Sequence, residues 1–273
     1  KNTVGIDASI NTPYCTRKLI YADWIASGRL YSPIEKRMSD DIGPLIGNTH
    51  SESTTTGRAM TRAYQTAQKI VKKHVNANDK DVILFTGTGM TSAIAKLQRL
   101  LGLKIPEQAV NYCPFTHGEY DKCRDIANEK RPVVFLTHTE HHSNHTSWFE
   151  TLADVVVLEP SSDLTVDPDI LRKEIVKYKD RPLLIGSFSA CSNVTGYFPP
   201  YYELAEIMHE YGGYCFVDFA DSAPYADINM HPADKTRQLD AIFFLPHKFL
   251  GGPGSAGVLV FNKVLYKNQI PDT

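Results

Sequence analysis

From residue 81 onward, apolar runs of strand length alternate with stretches patterned as helices, and few architectures accept that alternation. The runs are residues 81–86, 133–137, 154–158, 183–188, 214–218 and 241–245. Helical spacing falls over residues 92–101, 167–178 and 202–211, with Pro168 in a first turn and Gly212-Gly213 closing the last. A further helix over residues 58–75, carrying Ala63, Ala67, Ile70 and Val71 at helical spacing, precedes the first strand. Repeated strand–helix units predict an α/β fold of three layers, α/β/α, with a mostly parallel central sheet. Residues 1–57 show no such period and are expected to be irregular.

Sheets of this kind gather ligands outside the carboxyl ends of their strands. There this chain places Thr86 to Met90, His141, Asn193, Asp218 and the pair His247-Lys248. The run 241–245 stops at Pro246 and delivers His247 and Lys248 into a turn built with Gly251, Gly252, Pro253, Gly254 and Gly257. A lysine at a strand end is a candidate nucleophile, because its amine condenses with aldehydes to a Schiff base. Gly87-Thr-Gly-Met-Thr-Ser92 joins a strand to a helix, the geometry that offers free backbone N–H groups and a positive helix end to a phosphate. It is neither a P-loop nor a GxGxxG fingerprint. His141, His142 and His145 invite a metal, but their spacing lacks the carboxylate partner of HExxH, and no metal is expected.

Charge and cysteine usage narrow the classes. Lys and Arg number 29 against 31 Asp and Glu, a net charge of -2 without a long run of one sign, so a nucleic-acid or anionic-membrane partner is not expected. The 5 cysteines, at 15, 113, 123, 191 and 215, form no CxxC and are odd in number, which argues against a disulfide framework or a zinc site. Cys191 and Cys215 sit in apolar surroundings and read as buried structural thiols. No apolar run reaches membrane-spanning length and no signal-type core opens the chain, so a cytoplasmic protein is expected.

Taken together, Gly57-Arg58, Phe85-Thr-Gly-Thr-Gly-Met-Thr91, Glu140-His-His-Ser-Asn144, Ser192-Asn-Val-Thr-Gly196, Val217-Asp-Phe-Ala-Asp-Ser-Ala-Pro224 and His247-Lys-Phe-Leu-Gly-Gly-Pro253 carry a resemblance. In order and spacing, from about Tyr21 to Phe261, the chain resembles the class V aminotransferase and cysteine desulfurase family of pyridoxal 5′-phosphate (PLP) enzymes, with the aspartate aminotransferase-like fold. The resemblance implies that Lys248 holds PLP as a Schiff base and moves the substrate's α-proton, and that Asp218 pairs with the pyridinium nitrogen. It implies further that His141 stacks on the ring and Asn193 bonds its 3-oxygen. Thr88, Gly89 and Met90 would cradle the phosphate with help from His247. Lys248, His141 and Asp218 are thus the expected catalytic residues. The implied partners are a small amino acid substrate and a second copy of the chain.

The chain departs from the family pattern at three site positions. Asp221 stands where many desulfurases have Gln or His, and it cannot donate a hydrogen bond while ionised. Leu245 replaces a common phosphate-binding serine, and Met90 a frequent threonine. Family members also continue into a small C-terminal domain, whereas only residues 249–273 follow Lys248 here. The chain is therefore expected to be a fragment or truncated form without that domain. Residues 1–45 would belong to the small domain or the active-site mouth, and residues 46–273 to the PLP-binding large domain. Three functions from different classes follow: a PLP enzyme cleaving C–S bonds or transferring amino groups, a PLP-binding scaffold without turnover, and a nucleotide-binding α/β protein.

Overall fold

The structure, a computed structural model, describes residues 1–104, 112 and 128–270. Cys113 and Cys123 lie outside the described residues. The central sheet is 7-stranded. Five of its strands run parallel: β4 (Val133–Leu136), β5 (Asp154–Val157), β6 (Leu184–Ser189), β7 (Tyr214–Asp218) and β8 (Ala241–Phe244). β9 (Gly257–Asn262) runs against β8, and β3 (Asp81–Thr86) runs against β9, which gives the order β3-β9-β8-β7-β6-β4-β5. β3 therefore points the same way as the parallel five, and its C-terminal end joins theirs at one edge.

Both faces of the sheet are covered, which is why its strands read as continuous apolar runs. Alternate residues leave on opposite sides, as a pleat requires. Val133, Phe135, Val217, Ile242 and Val260 face one core, together with Leu171 and Ile175 of α5 (Pro168–Ile175) and Leu204 and Met208 of α6 (Tyr201–Glu210). Val71 of α2 (Thr55–His74) packs against the same core. Val134, Leu136, Phe216, Phe243 and Leu259 face the other, under Ile94 and Leu97 of α3 (Met90–Leu100) and Trp148 of α4 (His142–Phe149). The expected three-layer α/β/α arrangement with a mostly parallel sheet is the one observed.

Several boundaries differ from the sequence-based expectation. Residues 1–57 are not uniformly irregular. They hold an antiparallel hairpin of β1 (Ser9–Asn11) and β2 (Thr16–Lys18), the short helix α1 (Ser32–Arg37) and a π-helical turn at Met38–Ile42. α2 starts at Thr55 because the Thr54 hydroxyl accepts a hydrogen bond from Gly57 N–H and caps it. α4 and β9 lie outside the elements expected from the sequence.

Where β9 meets the turn after β3, two backbones touch. A Cβ on Gly257 would lie 2.3 Å from the Gly89 carbonyl oxygen, whereas one on Gly89 would meet nothing within 4 Å. Gly257→Ala is therefore expected to cost about 2–3 kcal/mol through overpacking, and Gly89→Ala less than about 1 kcal/mol as a change at a helix N-cap. Urea unfolding of the two variants checks the contrast, and equal losses would contradict it.

Candidate active site

Lys248 owes its position to a tight turn. β8 ends at Phe244, and Pro246–Lys248 forms a single 3-10 turn in which Lys248 N–H donates to the Leu245 carbonyl at 3.2 Å. The chain then folds back so closely that a Cβ on Gly252 would sit 1.7 Å from the Pro246 carbonyl oxygen. Residue 252 must accordingly be glycine in this backbone. The lysine is thereby turned into a cavity of about 480 Å³ at the carboxyl edge of the sheet.

Five strand-end segments meet in this cavity. Gly89 and Met90 come from the turn after β3, His141 from the turn after β4, Asn193 from the segment after β6, Asp221 from that after β7 and Lys248 from that after β8. Asp23, Ile25 and Ala26 of the N-terminal segment line the cavity as well. That segment is fastened to the lysine turn by backbone bonds, Gly28 N–H to the His247 carbonyl at 3.1 Å and Gly251 N–H to the Arg29 carbonyl at 2.7 Å.

The expected site residues are thus placed as follows. Gly89, Met90, His141, Asn193 and Lys248 line the cavity directly. Thr88 and His247 do not line it but stand next in sequence to residues that do. Asp218 is one hydrogen bond removed, its Oδ1 accepting from Ala220 N–H at 2.8 Å, and Ala220 is a lining residue. No side chain caps α3 at Gly89, and Gly89, Met90 and Thr91 line the cavity, so the uncapped start of that helix lies at its wall. His141 caps α4, its Nδ1 accepting from Ser143 N–H at 3.2 Å, which fixes the ring at the wall.

Asp218 is the electrostatically unusual group. It is 3% exposed, and its Oδ2 is buried with no hydrogen-bond partner. Burial pushes its pKa up to about 8. The Ala220 N–H opposes the shift, the charges of Asp221 and Glu140 add to it, and Lys248 opposes it.

Two further acids stand at the site without being marked by sequence periodicity. The first is Glu140, buried beside His141. Its Oε1 accepts from Thr137 N–H and hydroxyl, and its Oε2 from Asn144 Nδ2 and Ser189 Oγ, both at 2.6 Å. Asn144 in turn accepts from Ser187 Oγ and Trp148 Nε1. This network ties the ends of β4 and β6 to the start of α4. Burial still pushes the Glu140 carboxyl above its ordinary range. The second is Asp221, whose Oδ1 accepts from Lys248 Nζ. Neither is flagged by periodicity, since an acid next to a strand end is commonplace.

Among the described residues no group of three His, Cys, Asp or Glu could hold a metal ion, and no helix is long and apolar enough to cross a membrane. Of the thiols, Cys15 is exposed and Cys215 is buried. Cys191, nearer the site, is also buried, and burial followed by the Asp221 charge raises its pKa.

A family model described as aminotransferase class-V matches residues 123–271, over half of the chain. Among curated proteins the chain is similar to a probable cysteine desulfurase of Halalkalibacterium halodurans, 26% identical over 93% of this chain and 55% of the relative. A probable cysteine desulfurase of Halobacterium salinarum is 27% identical over 86% of this chain and 50% of its own length. The chain therefore spans about half the length of the curated relatives it matches. Among solved structures, the apo cysteine desulfurase of Thermococcus onnurineus NA1 superimposes with a TM-score of 0.66 at 22% identity, covering 90% of this chain and 54% of that one. A NifS-like protein from Rickettsia africae gives 0.68 at 15% identity, covering 93% and 61%. At such identities the solved structures speak for the fold alone.

The raised Asp218 pKa has a consequence for stability. The native state holds this proton up to about pH 8, whereas the unfolded chain releases it near the ordinary aspartate value of 3.8. Between those limits the native state binds more protons, so stability falls as pH rises. From pH 6 to pH 8 the loss attributable to this group is about 2 kcal/mol. Urea unfolding of the cofactor-free protein at the two pH values is expected to show that loss in the parent chain and a smaller one in Asp218→Asn. An equal pH dependence in both would show that Asp218 titrates normally.

Proposed function

The chain belongs to the aminotransferase class-V family, and on that premise we propose that it binds PLP on Lys248 and acts on an amino acid. One observation carries this reading: Oδ2 of Asp218 is buried, unpartnered and part of a carboxyl that keeps its proton to about pH 8. Such a group is costly to leave alone, and a ring nitrogen that takes up this proton and stays hydrogen-bonded to the resulting carboxylate is a partner that satisfies it. Other features fit the same ligand. The uncapped start of α3, brought against β9 by Gly257, suits a phosphate. The exposed ring of His141 suits a flat aromatic face, and the Asn193 amide a ring oxygen. Leu245 lines the same cavity, so no hydroxyl comes from that position. The hydroxyls of Thr91 and Ser143, bonded to each other at 2.7 Å, are the available substitutes.

When bound, PLP supplies an electron sink for the carbanion left as a bond to the substrate α-carbon breaks. The chain's own residues do the rest. The Lys248 amine is the nucleophile that tethers the cofactor and the base that moves the α-proton. Asp218 holds a proton at the ring nitrogen. His141 fixes the ring plane, while Thr88, Gly89, Met90 and His247 settle the phosphate. Residues 1–45 serve the mouth of the site, through Asp23, Ile25 and Ala26.

The substrate class is an amino acid, with cysteine favoured by the names of the curated relatives and amino transfer as the other reaction. Sulfur transfer needs a thiolate nucleophile. Cys191 is a poor one, because burial keeps its thiol protonated. A homodimer in the cytoplasm belongs to the same proposal.

Purified protein mixed with PLP should develop an absorbance band near the visible edge. Borohydride should erase that band and leave a stable mass increment on the peptide holding Lys248. Lys248→Ala should show neither. A band that survives in Lys248→Ala, or its absence from the parent chain, would defeat the assignment. Sulfide release from cysteine, set against transfer from an amino acid to a keto acid, then separates the two reactions.

A further inference from the structure

Lys248 is held by a contact that cofactor binding alone does not require. Its Nζ donates to Asp221 Oδ1 in an ion pair whose side chains are 14% and 6% exposed. An ammonium has no lone pair, so it must shed a proton before it can bond to a carbonyl carbon. Once it does, Asp221 is left as a buried carboxylate without its cation, a state that burial makes costly. A single proton transfer within the pair meets both demands.

Asp221 is the carboxylate that the amine touches, and the two other buried acids of this edge are placed differently. Both oxygens of Glu140 are filled by Thr137, Asn144 and Ser189. Asp218 makes its hydrogen bond to Ala220 N–H and is not the group bonded to Nζ. Asp221 therefore stands in contact with the reacting nitrogen, and it is itself a wall of the cavity.

Resting on the reading that Lys248 receives an aldehyde, we propose that Asp221 is its acid–base partner, accepting the ammonium proton and later returning it to the departing carbonyl oxygen. The step balances without an outside reagent. The Nζ proton moves to Oδ1, and the freed lone pair forms the C–N bond while the carbonyl π pair moves to oxygen. That oxygen takes a second proton from the nitrogen and becomes a hydroxyl. Asp221 gives back its proton, the C–O bond breaks, water leaves, and a C=N bond with one positive charge remains opposite an ionised Asp221. The ion pair is thus restored around the new bond. The same residue acts in reverse when the lysine is released.

Two measurements test this. The rate at which the visible-edge band appears on mixing with PLP is followed in the parent chain, Asp221→Asn and Asp221→Glu. In parallel, modification of Lys248 by formaldehyde and cyanoborohydride is followed by peptide mass spectrometry, which needs no cofactor site. Asp221→Asn is expected to slow both reactions about 100-fold, the lower end of general acid–base contributions. Asp221→Glu should recover most of the rate, and added formate should rescue Asp221→Asn in proportion to its concentration. Parent-like rates in Asp221→Asn, or slow rates that neither Asp221→Glu nor formate restores, would overturn the proposal. Should Asp221→Asn not fold, the solvent deuterium isotope effect on formaldehyde labelling of the parent chain decides, a normal effect supporting the role and its absence refuting it. A parent chain that forms no band with PLP, yet shows the Asp221 effect with formaldehyde, would defeat the cofactor assignment and leave this role standing.

Discussion

A carboxyl group taken out of water must find a proton, a cation or a set of donors, and the edge of this sheet buries three of them. Each is settled differently. Glu140 is surrounded by hydroxyl and amide donors, Asp221 has the Lys248 ammonium, and Asp218 keeps a proton and one backbone N–H. The three solutions are coupled, since Glu140 and Asp221 both raise the pKa of Asp218 while Lys248 lowers it. A change in the state of the lysine is therefore felt by the group facing the proposed ring nitrogen. That coupling follows from gathering the ends of β4, β7 and β8 at one edge of the sheet, not from any one residue.

The packing depends on backbone approaches that side chains would prevent. Gly252 lets the lysine turn close on Pro246, Gly257 lets β9 lie against the turn that starts α3, and Gly28 lets the N-terminal segment reach the Phe249 carbonyl, 1.9 Å from where a Cβ would stand. These contacts bring the amine, the helix end and the N-terminal residues of the cavity wall to one place. Hydrophobic burial on both faces holds the sheet together, but it does not by itself locate the site.

The inner parallel strands were legible in the sequence because they are buried on both faces, so 214–218 and 241–245 stand out as unbroken apolar runs. β9 was not, although Val258 to Phe261 are as apolar, because it follows β8 without a helix between them. A connection lacking a crossover helix favours an antiparallel neighbour, which the strand–helix alternation does not anticipate. α4 was missed for the opposite reason. Its buried residues are Asn144, Ser147 and Trp148, so polar contacts seat it and no apolar stripe marks it. Of the site, the strand-end positions of Lys248, His141, Asn193 and Asp218 were readable. That a residue read as unable to donate would instead receive the lysine's proton-bearing nitrogen was not, since it depends on how the segments after β7 and β8 fold back towards each other.

That contact changes the weight of the substitution at 221. A neutral donor there would bond to an acceptor in the cavity and leave the lysine to find its own partner. An aspartate gives up the donor but supplies the charge that a buried ammonium needs, so the pair is neutral as a unit and both members stay in a region almost closed to water. Removing either member alone leaves the other uncompensated, which is far more costly than replacing both. Position 221 is therefore bound to position 248 by the energetics of burial, and a lysine that changes its charge during a reaction cannot do so independently of the acid beside it.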